Sequence, residues 1–90
     1  MMNVLPLLAE FLGTFLFVLT ILVTGNPVFI GAMFTLIVWL LSKISGGHVN
    51  PAVTLAFFLK GSLSTNEFVG YLSSQLLGGV ASLYTYKMFV

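Results

Sequence analysis

One stretch decides the fold of this chain: Ser45-Gly46-Gly47-His48-Val49-Asn50-Pro51-Ala52-Val53-Thr54. Its small residues lead into Asn50, a preferred N-cap residue. Pro51 then suits the first position of a helix, because its φ is fixed and it has no N–H to satisfy. The apolar run that follows stops at Lys60 and Gly61, a cation and then a glycine, as is typical of a helix C-terminus. The sequence therefore predicts a helix from Pro51 to Lys60.

This predicted helix has half the length needed to cross a membrane. It would span about 15 Å, against about 30 Å for the hydrocarbon core of a bilayer. Its first N–H groups lack partners within the helix and carry the positive end of the helix dipole, and Asn50 adds two side-chain donors. At mid-membrane, this end can donate hydrogen bonds to a passing oxygen while repelling cations. The alternative is a short helix at the membrane surface with an ordinary asparagine cap.

The composition is that of an integral membrane protein. Of the 90 residues, 59% are hydrophobic and only 6% are charged, too few to cover the surface of a soluble domain. The net charge of +1 excludes a basic patch, so no nucleic-acid partner is expected. There is no cysteine, and one histidine with two distant glutamates makes a poor catalytic or metal-binding set. We therefore expect no enzymatic activity, no metal and no cofactor.

The predicted fold is an all-α, multi-pass membrane protein with three transmembrane helices and one half-spanning re-entrant helix. A signal peptide is the alternative for the first segment, but that segment lacks a cationic start. Ser64 and Glu67 form a predicted capping box before the last helix. The expected segments are a first span at about 4–24, a second at about 28–44, the re-entrant loop and half-helix at about 45–60, and a third span at about 65–88.

Two polar side chains lie within the predicted spans. Glu10 lies about 9 Å into the first helix, and it either reaches the membrane surface or is buried against polar partners. Gln75 must find a hydrogen-bond partner, either as a link between helices or as part of a site. A half-helix cannot end in lipid, so the loop at 45–50 must be covered by protein or line water. One chain of this size is too small to enclose the loop. The sequence therefore implies a second copy of the chain.

Three motifs together resemble one repeat of the aquaporin and glycerol-facilitator family, the major intrinsic proteins. They are Ala9-Glu10-Phe11-Leu12-Gly13-Thr14, the stretch from Ser45 to Thr54 with its Asn-Pro-Ala signature, and Gly70-Tyr71 with Gln75 and Gly78-Gly79. The resemblance covers nearly the whole chain and implies that residues 1–90 form a single repeat, as in a half-length member. It implies a passive channel for water or small neutral solutes such as glycerol.

The resemblance also implies how the pore is assembled. Family members carry two inverted repeats whose half-helices meet at mid-membrane, so a single repeat would form an antiparallel homodimer or pair with a separately encoded second half. Lys43 and Lys60 would lie on one side and Lys87 on the other, a bias of one charge that allows insertion in both orientations. The family's tetramers of pores would correspond to eight chains. The expected partners are the lipid bilayer, the solute or water, and a second copy.

The resemblance assigns roles to particular residues. Glu10 and Gln75 would support the loop, and His48 would either hold the loop or line the pore. The matching filter positions are apolar and the chain contains no arginine, which favours glycerol, urea-like solutes or dissolved gases over strict water selectivity. A non-conducting structural subunit is the competing interpretation. The implied pore-contacting residues are Gly46, Gly47, His48, Val49, Asn50, Pro51 and Ala52, and the filter candidates are Ile30, Val38 and Val53.

Overall fold

A computed structural model describes residues 3–90, which form four α-helices. Each of the four helices is preceded by an asparagine or serine whose side chain accepts a backbone N–H two or three residues later. These cap residues are Asn3, Asn26, Asn50 and Ser64. The capping box predicted at Ser64 and Glu67 is confirmed, with bonds of 2.8 and 3.1 Å. The helices are α1 (Val4–Val23), α2 (Pro27–Leu41), α3 (Pro51–Lys60) and α4 (Thr65–Met88).

Helix α3 has the ends that its sequence predicts. The Asn50 side chain accepts the N–H of Ala52 at 2.8 Å, and Pro51 occupies the first turn. At the other end Gly61 adopts a left-handed conformation (φ 95°), which directs its N–H to the carbonyls of Phe57 and Phe58. Its ten residues, capped at both ends, cover about 15 Å.

Helix α2 is shorter than the second span expected at 28–44. It ends at Leu41, because the N–H groups of Ile44, Ser45 and Gly46 all converge on the Leu41 carbonyl at 3.0 Å and turn the chain. Its 15 residues cover about 22 Å. Among residues 3–90, α1 alone is long and apolar enough to cross a membrane by length and composition.

Helix α1 packs along α4, and small residues allow the close approach. At Gly78, a Cβ would lie 2.6 Å from the carbonyl oxygen of Phe11 and 3.3 Å from the Cβ of Thr14. At Gly70, a Cβ would lie 2.8 Å from the side chain of Leu7. The two backbones are therefore nearly in contact, and this brings polar side chains of α1 and α4 together.

The interior of the described chain is more polar than its surface. Ala9, Ile37, Val49 and Tyr71 are its buried hydrophobic residues, while large apolar side chains such as Trp39 and Leu59 are more than two-thirds exposed. This distribution is the reverse of that in a soluble domain and suits a chain surrounded by lipid. The buried polar residues are Glu10, Thr14, Thr20, Ser45, His48, Thr54, Gln75 and Ser82.

Candidate functional site

The loop between α2 and α3 has an unusual backbone. Gly46, Gly47 and Val49 all have positive φ, at 92°, 65° and 43°. A Cβ on Gly47 would lie 3.0 Å from the Cα of Val38, so a side chain there would require the loop or α2 to shift. Val49 is β-branched and costs about 1–3 kcal/mol in this conformation, so the surrounding contacts must hold it there.

Glu10 supplies those contacts from the middle of α1. Its side chain is fully buried. Oε2 accepts the hydroxyl of Ser45 at 2.7 Å and the N–H of His48 at 3.0 Å, and Oε1 accepts the N–H of Val49 at 2.8 Å. One carboxyl group thus replaces the partners that the loop's backbone would otherwise find in water.

A second layer of polar contacts joins α4 and α3 to the same carboxyl group. The amide Nε2 of Gln75 lies 2.8 Å from Glu10 Oε1 and 2.8 Å from the hydroxyl oxygen of Thr54. That hydroxyl oxygen in turn lies 2.9 Å from Nδ1 of His48. Thr54 is fully buried and Gln75 nearly so. The network therefore connects three helices and the loop.

Aromatic side chains fix the ring of His48. Its centroid lies 4.7 Å from that of Phe57, with an angle of 21° between the two planes, and 5.1 Å from that of Tyr71. The Tyr71 hydroxyl donates to the carbonyl of Ser45 at 2.7 Å. The imidazole therefore has one defined orientation in the loop.

Asn50 is the exposed end of this arrangement. Its Oδ1 accepts from Ala52, and within residues 3–90 its Nδ2 has no acceptor, so both of its N–H bonds are available. Asn50 and Pro51 line an open groove of about 540 Å³ between α1 and α4. Most of the groove is apolar, with walls from Phe17, Val18, Leu76, Gly79, Val80 and Leu83.

Two polar atoms at this groove are buried without a hydrogen bond. They are Oγ1 of Thr14 and Oε1 of Gln75, and both residues line the groove. An unsatisfied buried polar group costs about 1–3 kcal/mol. This face of the chain therefore has two polar atoms that need hydrogen-bond partners from outside residues 3–90.

The other residues predicted for the site are distributed around the loop. Gly47, His48 and Val49 are buried in the single chain, whereas Gly46, Asn50, Pro51 and Ala52 are exposed. The filter candidates Ile30, Val38 and Val53 are half-buried, and the backbone of Val38 packs against Gly47.

Sequence reasoning did not single out Thr54 or Tyr71 as members of the network. Tyr71 and Gln75 lie four residues apart on one helical turn, and this spacing was the available signal for a shared buried face. Thr54 lies four residues after Asn50, but Asn50 is exposed and Thr54 is buried, so this spacing gave no signal for Thr54.

A comparison with known protein families decides the affiliation of the chain. The family described as "Major intrinsic protein" matches residues 2–90. The chain belongs to this family. Its members are integral membrane channels and not enzymes.

Curated relatives agree with this assignment. The lens fiber major intrinsic protein of Gallus gallus is 41% identical over 87 residues, which cover 83% of this chain and 33% of the relative. The glycerol uptake facilitator protein-like 6 of Lactiplantibacillus plantarum is 35% identical over 92 residues, covering 92% of this chain and 43% of the relative. Aquaporin PIP 1-3 of Oryza sativa subsp. japonica is 34% identical over 99 residues, covering 91% of this chain and 34% of the relative.

The chain thus spans between a third and a half of the length of these major intrinsic proteins. No solved structure matches it.

Proposed function

We propose that this chain forms a passive membrane channel for water and small neutral solutes such as glycerol, with a pore built from two copies in inverted orientation. Membership of the major intrinsic protein family supports a channel. The observation that carries the proposal is the exposed Asn50 at the N-terminus of α3, with both Nδ2–H bonds available beside an open groove. In the proposed topology, α1, α2 and α4 cross the membrane and α3 crosses half of it.

The proposed mechanism uses hydrogen bonds without a fixed charge in the path. Asn50 donates to the oxygen of a solute, and the positive end of the α3 dipole repels cations and protons. Backbone carbonyls of the loop accept from the solute's hydrogens. The Ser45 carbonyl accepts the Tyr71 hydroxyl and keeps a second lone pair, so the proposed ladder of acceptors runs from Ser45 to Val49.

A second copy is the partner that fits the groove. Its walls are apolar apart from Thr14, Gln75 and Asn50, as expected of a surface buried between helices in a membrane. A second chain would supply partners for the buried Oγ1 of Thr14 and Oε1 of Gln75. Inverted insertion of identical chains needs a weak orientation signal, and the lysines differ by only one between the two proposed sides.

The apolar filter candidates support permeation of neutral solutes. Ile30, Val38 and Val53 offer no side-chain donor or charge, and the sequence contains no arginine. Such a constriction discriminates weakly by polarity, and it also wets poorly. A non-conducting structural subunit is therefore the competing function.

Osmotic measurements on vesicles test the proposal. Proteoliposomes of the chain are mixed with impermeant sucrose or with glycerol, and their volume is followed by stopped-flow light scattering. The variants are Asn50→Asp and the matched control Asn26→Asp. Both asparagines cap a helix before a proline, and aspartate caps equally well, so both variants keep the fold.

The proposal expects the wild type to shrink several-fold faster than empty vesicles under sucrose and to re-swell under glycerol. Asn50→Asp should lose most of this permeability, because it replaces two donors by a negative charge, while Asn26→Asp should match the wild type. Wild-type permeability equal to that of empty vesicles, with helical content intact by circular dichroism, would reject the channel in favour of the structural subunit. Equal loss in both variants would reject the role of Asn50.

A further inference from the structure

We infer that Gln75 and Thr54 are positioning residues that hold the neutral His48 ring with its proton on Nε2. His48 then presents an N–H donor at the loop surface beside Gly46. The assignment of the proton stands on the hydrogen-bond network alone. The further inference that Nε2–H donates to the oxygen of a permeating solute rests on the proposed function.

The contacts of Glu10 determine the orientation of the Gln75 amide. The backbone N–H groups of His48 and Val49 can only donate, and each donates to an oxygen of Glu10. Glu10 Oε1 therefore acts as an acceptor, and it lies 2.8 Å from the Gln75 amide. If the amide were reversed, two acceptor oxygens would face each other at this distance. With Glu10 as a carboxylate, the Gln75 NH2 group therefore points to Oε1.

The Gln75 amide in turn determines the direction of the Thr54 hydroxyl. The same NH2 group of Gln75 lies 2.8 Å from Thr54 Oγ1, so Thr54 accepts this bond. Within the described chain, the other polar atom bonded to Thr54 Oγ1 is Nδ1 of His48, at 2.9 Å. A hydroxyl has one hydrogen to donate, and Nδ1 is where it can go. Were Nδ1 protonated instead, Thr54 would accept twice and its own hydrogen would be buried without a partner, at a cost of about 1–3 kcal/mol.

The remaining ring nitrogen of His48 is Nε2. With Nδ1 accepting, the proton of the neutral ring is on Nε2. A Cβ on Gly46 would lie 3.4 Å from Nε2, and Gly46 is exposed. No hydrogen bond within residues 3–90 uses this nitrogen. Because Phe57 and Tyr71 hold the ring, the Nε2–H bond has a fixed direction.

The chain offers a direct test, because His48 is its one histidine. Protein labelled with ¹⁵N-histidine in lipid vesicles gives one pair of ring nitrogen signals by solid-state NMR. At pH 8, well above the usual pKa of histidine of about 6.5, we expect Nε2 to carry the proton and Nδ1 to carry none. A proton on Nδ1, alone or together with one on Nε2, would overturn the assignment. The wild-type spectrum decides this without any variant.

Three substitutions test Thr54 as the donor to Nδ1. Thr54→Val keeps the shape and removes the hydroxyl, so the Nδ1 signal should move to the position of an imine nitrogen without a hydrogen bond. Thr54→Ser keeps the hydroxyl and should leave the signal in place. Thr35→Val is the matched control, since its hydroxyl donates to Gly31 within α2, at 2.8 Å. An unchanged Nδ1 signal in Thr54→Val would contradict the role of Thr54.

Magnetisation transfer from water tests the donor role in the same sample. The Nε2–H proton should receive magnetisation from water, and absence of transfer would overturn its role as a donor to the permeant. The two hypotheses fail separately. Vesicles that do not conduct would reject the proposed channel but not the assignment of the proton to Nε2. A proton on Nδ1 would reject that assignment but not the channel.

Discussion

The N–H of Val49 donates to Oε1 of Glu10 at 2.8 Å, across 39 residues of sequence. Val49 makes this bond from a left-handed backbone conformation (φ 43°) that its branched side chain disfavours. The side chain of Val49 is also buried, 2.8 Å from where a Cβ of Gly13 would lie. Helix α1 thus holds the strained residue through both its backbone N–H and its side chain.

Glu10→Gln should destabilise the fold by about 3 kcal/mol or more, because one of the two oxygens that accept hydrogen bonds from the loop becomes an NH2 group that faces donors. The chain's second glutamate, Glu67, is the control. It is exposed and caps α4, and glutamine serves in a capping box, so Glu67→Gln should change stability by less than about 0.5 kcal/mol. Unfolding in mixed micelles, followed by circular dichroism, measures both. Similar losses in the two variants would contradict the central role of Glu10.

Gly78→Ala should separate α1 from α4. The new Cβ would meet the Phe11 carbonyl oxygen at 2.6 Å and the Phe15 nitrogen at 3.1 Å, and backbone atoms cannot move aside cheaply. We expect a loss of about 1–3 kcal/mol, as for overpacking elsewhere. Gly31→Ala in α2 meets no atom within 4 Å and should be neutral or stabilising by up to about 1 kcal/mol, from helix propensity. A stable Gly78→Ala variant would show that the helices are further apart than described.

Gly47→Ala and Gly61→Ala separate backbone strain from steric clash. Both glycines have positive φ, but a Cβ meets Val38 Cα at 3.0 Å at Gly47 and no atom within 4 Å at Gly61. Gly61→Ala should cost about 1–2 kcal/mol, from the left-handed conformation alone. Gly47→Ala should cost at least about 1 kcal/mol more, because the loop must also move away from α2. Equal values from the same unfolding assay would mean that Val38 does not confine the loop.

Gly79→Trp tests whether the groove is the surface that meets the proposed second copy. Gly79 lines the groove, and its Cβ position is open, so an indole there fills the groove without disturbing the chain's own packing. We expect dimerisation to weaken at least tenfold, which corresponds to about 1.4 kcal/mol. Gly31→Trp, also at an open position but on α2, should dimerise like the wild type. Energy transfer between donor- and acceptor-labelled chains in vesicles measures the association, and equal association of the two variants would place the interface elsewhere.

The sequence was most informative where a structure depends on neighbouring residues. Asn50, Pro51, Lys60 and Gly61 predicted both ends of α3, because capping and termination act within one turn. The end of α2 was missed by three residues. The sequence near Leu41 and Ile44 has no residue that marks a helix end. The end is visible only in the folded turn, where three N–H groups bond to the Leu41 carbonyl.

The site was less predictable, because its contacts depend on tertiary packing. Burial of Glu10 and Gln75 followed from their polarity inside apolar segments. Their meeting through one hydrogen bond, with Thr54 as a third member, depends on how closely α1 approaches α4 at Gly78. No local pattern encodes that distance. The unsatisfied Oε1 of Gln75 is likewise visible only once the neighbouring atoms are in place.

The position of Gln75 in α4 sets an order of assembly during synthesis. Glu10, the loop and Thr54 all precede it in the sequence, yet their hydrogen bonds are completed by an amide from the last helix. Until α4 has been synthesised, Glu10 and Thr54 lack the amide that joins them, and the loop is hydrogen-bonded to α1 only through Glu10. A chain that ends before Gln75 would therefore keep the bonds from Glu10 to the loop and lose the link between Glu10 and Thr54.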